Sequence, residues 1–309
     1  MKKNKKKLIL VVIAVIILIA GVIFSIINIM IASNVISSMA DIRIEKNEAK
    51  LSDYGLIGEQ IQVSSFDGVK ISAYVVSNSE SKGNVIILHG MHGMDATSLF
   101  DYAKFIHDNG YTPIVVDMRA HGKSGGTSLS FGYHETNDVI SIVRYLKQDE
   151  RFKNVPFILY GLSMGGSTAI NVASKSKDID AVIAVSPFLS IQDQVADYMR
   201  RDGAPSLFVK IFKPYVNFVL RSKYDVDPVK ESPKNSIKNI TDIPLFIIHG
   251  DIDKQTNVYH AYELYKRSQS QKKQIWIVEG KDHLIIDNIL DEESKYYQER
   301  VVEFLNTIK

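Results

Sequence analysis

The stretch Phe157-Ile158-Leu159-Tyr160-Gly161-Leu162-Ser163-Met164-Gly165-Gly166 constrains this chain more than any other. An apolar run ends in Gly-x-Ser-x-Gly, and the small residues Ser167, Thr168 and Ala169 follow. That order reads as a strand, a sharp turn and a helix. Such a turn brings the strand and helix backbones together, so a side chain at Gly161 or Gly165 would collide with a neighbour. Ser163 is then expected at the tip with its hydroxyl exposed. The helix starting there offers unpaired amides and the positive end of its dipole. This is a setting for a nucleophile. The plainer alternative is a glycine-rich turn whose serine caps the helix.

A wholly apolar strand needs companions on both sides. Residues 85–88, 113–117, 181–186, 245–250 and 274–278 are further short, largely apolar runs, as expected of strands covered on both faces. Helical patterns separate many of them, near 96–109 and 135–148, and another closes the chain at 292–308. In the second of these Val139, Ile142, Val143 and Leu146 share one face. The alternation predicts an α/β fold with a mostly parallel central sheet flanked by helices. Upstream, 58–64 and 69–77 alternate apolar and polar residues around Ser65-Phe66-Asp67-Gly68, a hairpin signal. The domain is therefore expected to open on two antiparallel strands. Between Ser186 and Leu245 the interval is too long for an ordinary connection. Tyr198, Phe208, Ile211, Phe212, Tyr215, Phe218 and Val219 recur there at helix-like spacing. They predict a helical cap insertion at 190–240 whose apolar side roofs the site. A helical extension packed on the domain's flank is the alternative.

The N-terminus has a different character. Residues 1–7 hold five lysines, and 8–32 carry no charge. An apolar helix of that length is ~36 Å long, enough to cross a bilayer with some tilt. Residues 1–7 are expected as a cytoplasmic basic tail and 8–32 as a transmembrane anchor. Residues 33–55 would form a stalk or connector, and 56–309 an extracytoplasmic catalytic domain. A cleaved signal peptide is the competing reading, but its apolar region is usually shorter. The net charge of +2 gives no case for nucleic acid. The absence of cysteine excludes disulfides, thiolate metal sites and a cysteine nucleophile.

A serine hydroxyl needs a base, and the base an orienting carboxylate. In a sheet of this kind the chain order is serine, acid, histidine, with the active groups at the C-terminal strand ends. His283 is the histidine beyond the last predicted strand and is expected to be the base. Asp253, after the 245–250 strand, is the expected acid, and Asp193 is the alternative. Asp251 is expected to hold the same loop through turn hydrogen bonds. Asp251 and Asp253 also form an Asp-x-Asp pair, but no Glu or His partner at ligand spacing supports a metal. No cofactor is expected. His89, His121 and His249 each precede a glycine and read as structural. His92 reads as a pocket-lining or plain loop residue. The oxyanion donors are expected to be the backbone N–H groups of Met164 and Met91.

Five motifs occur in a fixed order. They are the His89-Gly90 loop, Asp117-x-Arg119-x-His121-Gly122-x-Ser124, Gly161-x-Ser163-Met164-Gly165-Gly166, His249-Gly250-Asp251-x-Asp253 and Gly280-x-Asp282-His283. Together they resemble the α/β-hydrolase superfamily. More narrowly, they resemble bacterial membrane-anchored hydrolases of the serine aminopeptidase S33/BEM46-like group, over about residues 55–309. The resemblance implies Ser163 as nucleophile, Asp253 as acid, His283 as base, and Met91 and Met164 as oxyanion donors. One departure is that many relatives follow the acid with Val-Pro, whereas Lys254-Gln255 follows Asp253 here. The expected activity is a membrane-anchored serine hydrolase cleaving a small-molecule or lipid-like acyl ester. A peptidase or amidase of the same fold and a non-catalytic binding protein are the alternatives.

Overall fold

The computed structural model describes residues 2–41, 43, 48–91 and 93–308. His92 and part of the expected 33–55 connector lie outside the described residues. Among these, eight strands form one sheet: β1 (Gly58–Ser64), β2 (Lys70–Val76), β3 (Asn84–Leu88), β4 (Thr112–Val116), β5 (Phe157–Leu162), β6 (Ala181–Val185), β7 (Leu245–Gly250) and β8 (Lys273–Val278). Their order is β1-β2-β4-β3-β5-β6-β7-β8. β1 and β2 pair antiparallel, with Gly58 opposite Val76, and β2 also runs antiparallel to β4. Every later pairing is parallel. The helices are α1 (Lys2–Ala40), α2 (Phe100–Asp108), α3 (His134–Leu146), α4 (Met164–Lys175), α5 (Ile191–Arg201), α6 (Ser206–Tyr224), α7 (Pro233–Ser236), α8 (Tyr259–Arg267) and α9 (Lys295–Leu305).

The apolar strands are explained by the two layers they separate. Side chains alternate across a strand. Ile86, Leu159, Val182 and Ile247 meet Val139, Val143 and Ile170 on one face. Ile87, Ile158, Ile183 and Phe246 meet Phe100, Val301 and Phe304 on the other. A Phe304 side chain buried this fully contributes about 1.5–3 kcal/mol. Polar atoms inside these layers are paired, as where the Tyr160 and Tyr297 hydroxyls meet at 2.6 Å.

The insertion after β6 carries α5, α6 and α7. Ser190 caps α5, its hydroxyl accepting from Asp193 N. The expected apolar stripe is divided. Phe212 and Val219 are buried, Phe208 and Tyr215 are half-buried, and Ile211 and Phe218 are exposed. The buried face of α6 is Val209, Phe212, Val216, Val219 and Leu220. The reason is a neighbour that periodicity did not reveal, the C-terminal part of α1.

α1 is long and apolar enough to cross a membrane over Asn4–Ala40. Its large side chains from Leu8 to Phe24 are exposed. From Asn28 onward one side is covered: Asn28, Ala32, Ile36 and Ala40 are buried at helical spacing. Ser25 Oγ lies 3.3 Å from the Tyr215 hydroxyl. Lys223 Nζ donates to Asp41 at 2.6 Å and Tyr224 OH to the same carboxylate at 2.9 Å. Beyond the helix, Arg43 donates to the carbonyls of Gly122, Ser124 and Gly126. Part of the segment read as a connector thus continues α1 and packs on α6 and on the loop at 122–126.

Candidate active site

The elbow forms because two glycines let backbones touch. A Cβ on Gly161 would lie 2.2 Å from the carbonyl carbon of Gly165. One on Gly165 would lie 2.1 Å from the Leu88 carbonyl oxygen. Between them Ser163 adopts φ 54°, ψ −114°, a region that non-glycine residues occupy only where the surroundings hold them there. Ser163 N donates to the Val185 carbonyl at 2.8 Å, which ties the tip to the neighbouring strand.

The other two candidates arrive from β7 and β8. His283 Nε2 lies 2.8 Å from Ser163 Oγ, and His283 Nδ1 lies 2.7 Å from Asp253 Oδ2. The two side chains are almost or wholly buried, at 7% and 0% exposure. Ser163, His283 and Asp253 therefore stand in one hydrogen-bonded line. The other proposed acid, Asp193, is engaged elsewhere, accepting from Lys213 at 2.5 Å and from Ser190 at 2.7 Å.

Asp253 has a further partner. His249 Nε2 lies 3.1 Å from Asp253 Oδ2 and 2.9 Å from the Thr256 carbonyl. The second oxygen, Oδ1, accepts from the amides of Gln255 and Thr256 at 2.8 and 2.7 Å. Burial by itself would raise the Asp253 pKa. The hydrogen bonds from His249 and His283 outweigh burial and hold it well below the usual carboxylate range. A buried carboxylate kept ionised in this way suits the orienting of an imidazole.

Other contacts brace the loops. Ser186 Oγ donates to the His283 carbonyl at 2.6 Å. Asp251 Oδ1 accepts from Gly280 N at 2.7 Å, so it crosses between the two loops and is not confined to its own turn. Asp282 accepts from Lys254 N at 3.0 Å. Sequence reading assigned no site role to Ser186 or His249. The available signal for His249 was its spacing of four residues from Asp253. Ser186 left only the trace of a serine at a strand end, and its φ of 48° is visible only in the structure.

The oxyanion candidates lie on either side of the elbow. Met164 opens α4, where first-turn amides have no partner within the helix. Met91 follows Gly90, whose backbone passes so close that an added Cβ would sit 3.4 Å from Ser163 Cβ. That loop is tied down by His89, whose Nε2 accepts from Met118 N at 3.0 Å and whose Nδ1 meets the Gly90 carbonyl at 2.7 Å. Burial, with His121 adjacent, pushes the His89 pKa down to about 3, so its ring is neutral. His121 bonds the Arg119 carbonyl at 2.8 Å. Arg119 itself grips Asp138 through two nitrogens at 2.9 and 2.7 Å and reaches Asp67 at 2.8 Å. Asp117 accepts from Ala96 N and Lys123 N, and burial raises its pKa. The 117–124 motif thus serves as a brace behind the site. Among the described residues no cluster of three or more His, Asp or Glu side chains could hold a metal ion.

Residues 79–238 match the family described as serine aminopeptidase, S33. An uncharacterised Bacillus subtilis protein, YqkD, is 27% identical over 78% of this chain and 77% of its own length. The bem46 protein of Schizosaccharomyces pombe is 23% identical over 65% of this chain and 62% of its own. Among solved structures, an esterase of Pyrococcus furiosus superposes with a TM-score of 0.68 at 26% identity. It covers 86% of this chain and 98% of the esterase.

Proposed function

Because this chain belongs to the serine aminopeptidase S33 family, as a BEM46-like α/β hydrolase, we propose that it is a membrane-anchored serine hydrolase that cleaves acyl esters. The observation that carries this reading is the unbroken line Ser163–His283–Asp253, with contacts of 2.8 and 2.7 Å. In the first step His283 Nε2 takes the Ser163 proton as Oγ attacks the ester carbonyl. Asp253 holds the ring through Nδ1–H and stabilises the imidazolium that forms. The N–H groups of Met164 and Met91 receive the oxyanion, each contributing about 3–4 kcal/mol to the transition state. His283 then gives its proton to the leaving alcohol, and an acyl group remains on Ser163. Water, deprotonated by the same imidazole, releases the acid and restores the hydroxyl.

The ester preference is supported by the likeness to the Pyrococcus furiosus esterase. Peptide or amide cleavage is favoured by the family's description. The anchor reading is supported by the exposed apolar surface of α1 from Leu8 onward, behind a lysine-rich start. On that reading residues 8–32 span the cell membrane and the lysines stay cytoplasmic, which leaves the 56–309 domain outside.

A fluorophosphonate probe on the full chain tests the chemistry. Wild type is expected to be labelled and Ser163→Ala not. Absence of labelling in folded wild type overturns the reading. Parallel turnover of acyl esters and aminoacyl amides separates the two substrate classes, with esters expected to be faster.

A further inference from the structure

The contacts between α1 and α6 fix the direction of the cap helix. Ser25 meets Tyr215, while Ser37 and Asp41 meet Lys223 and Tyr224. Rising number on α1 matches rising number on α6, so the two helices run the same way. Residues of α6 before Tyr215 therefore lie toward the lysine-bearing end of α1.

On the anchor reading, this direction has a consequence. About 20 residues of helix fill the ~30 Å hydrocarbon core. Counted from Leu8, that reaches about Ile27, so Ser25 lies at the outer boundary of the core. Tyr215 is at the same level, the interfacial zone in which tyrosine is enriched. The first half of α6 then cannot be surrounded by bulk water.

The surface of α6 fits such a place. Leu207, Ile211 and Phe218 are 70%, 41% and 54% exposed, and Pro214 is exposed between them. Spacings of 4, 7 and 11 residues from Leu207 put all four on one outward stripe, opposite the face buried in the domain. Lys210 is exposed beside it, on a stem long enough to reach phosphates from that depth.

We propose that this outward stripe of α6 is a second membrane contact in the leaflet from which α1 emerges, with Phe218 at the headgroup boundary and Leu207, eight residues or ~12 Å nearer the lysine end than Tyr215, among the acyl chains. The proposal rests on α1 spanning the bilayer. It also bears on the substrate. The α5–α6 turn lies at the same end as Leu207, and Arg201 of α5 reaches the carbonyl of Lys254, next to Asp253, at 3.5 Å. The acid loop is thus close to the lipid surface. The site takes its acyl ester from the leaflet, as a lipid-class substrate.

The chain contains no cysteine, so single labels can be placed in the full-length protein. We choose Leu207→Cys, Phe218→Cys, Ile16→Cys on α1, and Tyr296→Cys on α9 at the opposite face of the sheet. Each variant carries an environment-sensitive fluorophore and is reconstituted in phosphatidylcholine–phosphatidylglycerol vesicles containing lipid-borne quencher. Residue 218 is expected to be quenched several-fold more than 296 by a shallow quencher, and residues 207 and 16 several-fold more than 296 by a deep one. If residue 16 is quenched while 207 and 218 match 296, the stripe does not touch lipid and the proposal falls alone. If residue 16 is not quenched, the anchor reading falls and takes the proposal with it. The double variant Leu207→Asp/Phe218→Asp supplies the functional readout. It is expected to lose several-fold in turnover of a vesicle-embedded long-chain ester and to keep wild-type turnover of a short, water-soluble ester. Equal turnover of the vesicle-embedded ester by variant and wild type overturns the supply of substrate from the leaflet.

Discussion

The elbow after β5 and the loop after β7 deliver side chains to one place but are held there differently. The elbow is fixed by backbone against backbone, with Gly161 packed on Gly165 and Gly165 on Leu88. The Asp253 loop is fixed by side-chain hydrogen bonds from His249 and His283, with Asp251 and Ser186 bracing the strand ends. Steric contacts this close fail all at once, because no small movement relieves an approach of 2.1 Å between a Cβ and a backbone oxygen. Hydrogen bonds fail by degrees, because each contributes about 1 kcal/mol net and leaving one buried partner unpaired costs about 1–3 kcal/mol, short of unfolding the domain. The fold therefore survives single changes in the Asp253 loop, at a cost to the site, and hardly survives them in the elbow.

Substitutions on either side test that contrast. Ser163→Ala should lower ester turnover on the order of a millionfold and leave the melting temperature unchanged. A fallen melting temperature would give the hydroxyl a packing role that the contrast denies it. Gly165→Ala should do the reverse, abolishing soluble folded protein because its Cβ overlaps the Leu88 carbonyl. A cooperative melt within a few degrees of wild type would show the elbow to be pliable. Asp253→Asn should cost about a thousandfold to ten-thousandfold in kcat with the fold retained.

Asp253 also carries a pH signature. Its folded pKa is held below the ordinary carboxylate value of 3.8 by its histidine partners. Its contribution to stability is therefore present in full above about pH 5. It is lost as pH falls through about 4 toward the folded value. Denaturant titrations of wild type and Asp253→Asn should accordingly differ at pH 7 and converge in acid. His249→Gln should have a smaller effect, about 1–3 kcal/mol in stability and roughly tenfold in kcat/KM. A loss matching Asp253→Asn would mean that His249 positions the carboxylate by itself. Lys223→Ala, at the exposed ion pair with Asp41, should be the smallest, about 0–1 kcal/mol by chemical denaturation.

Legibility followed the range of the interactions. The 157–162 strand and its sharp turn were readable because an apolar run and two glycines are local signals. The hairpin around Asp67-Gly68 was readable for the same reason, and β1 and β2 do pair antiparallel. α1 docking on α6 was not readable. Ala32, Val35, Ile36, Met39 and Ala40 alternate with Ser33, Asn34, Ser37 and Ser38 at helical spacing, so an apolar face is legible there, but nothing local names the element that covers it. In α6 most residues from Leu207 to Leu220 are apolar, which joined Ile211 and Phe218 to Phe212 in one expected stripe. Tertiary packing sends the first two outward and buries the third.

By itself, the amino-acid order determined the alternation of buried strands and helices, the glycine-lined turn at Ser163, and an N-terminal helix too apolar to have a watery side. Each follows from residues close together in the chain, where steric limits and hydrophobic period act directly. Only the folded chain decided that His249 shares the Asp253 carboxylate, that Ser186 pins the His283 backbone, and that α6 lies alongside α1. Those contacts join residues brought together by the sheet's parallel crossovers or by α1 packing on the domain. Their energy depends on angstrom-scale placement, which no local pattern specifies.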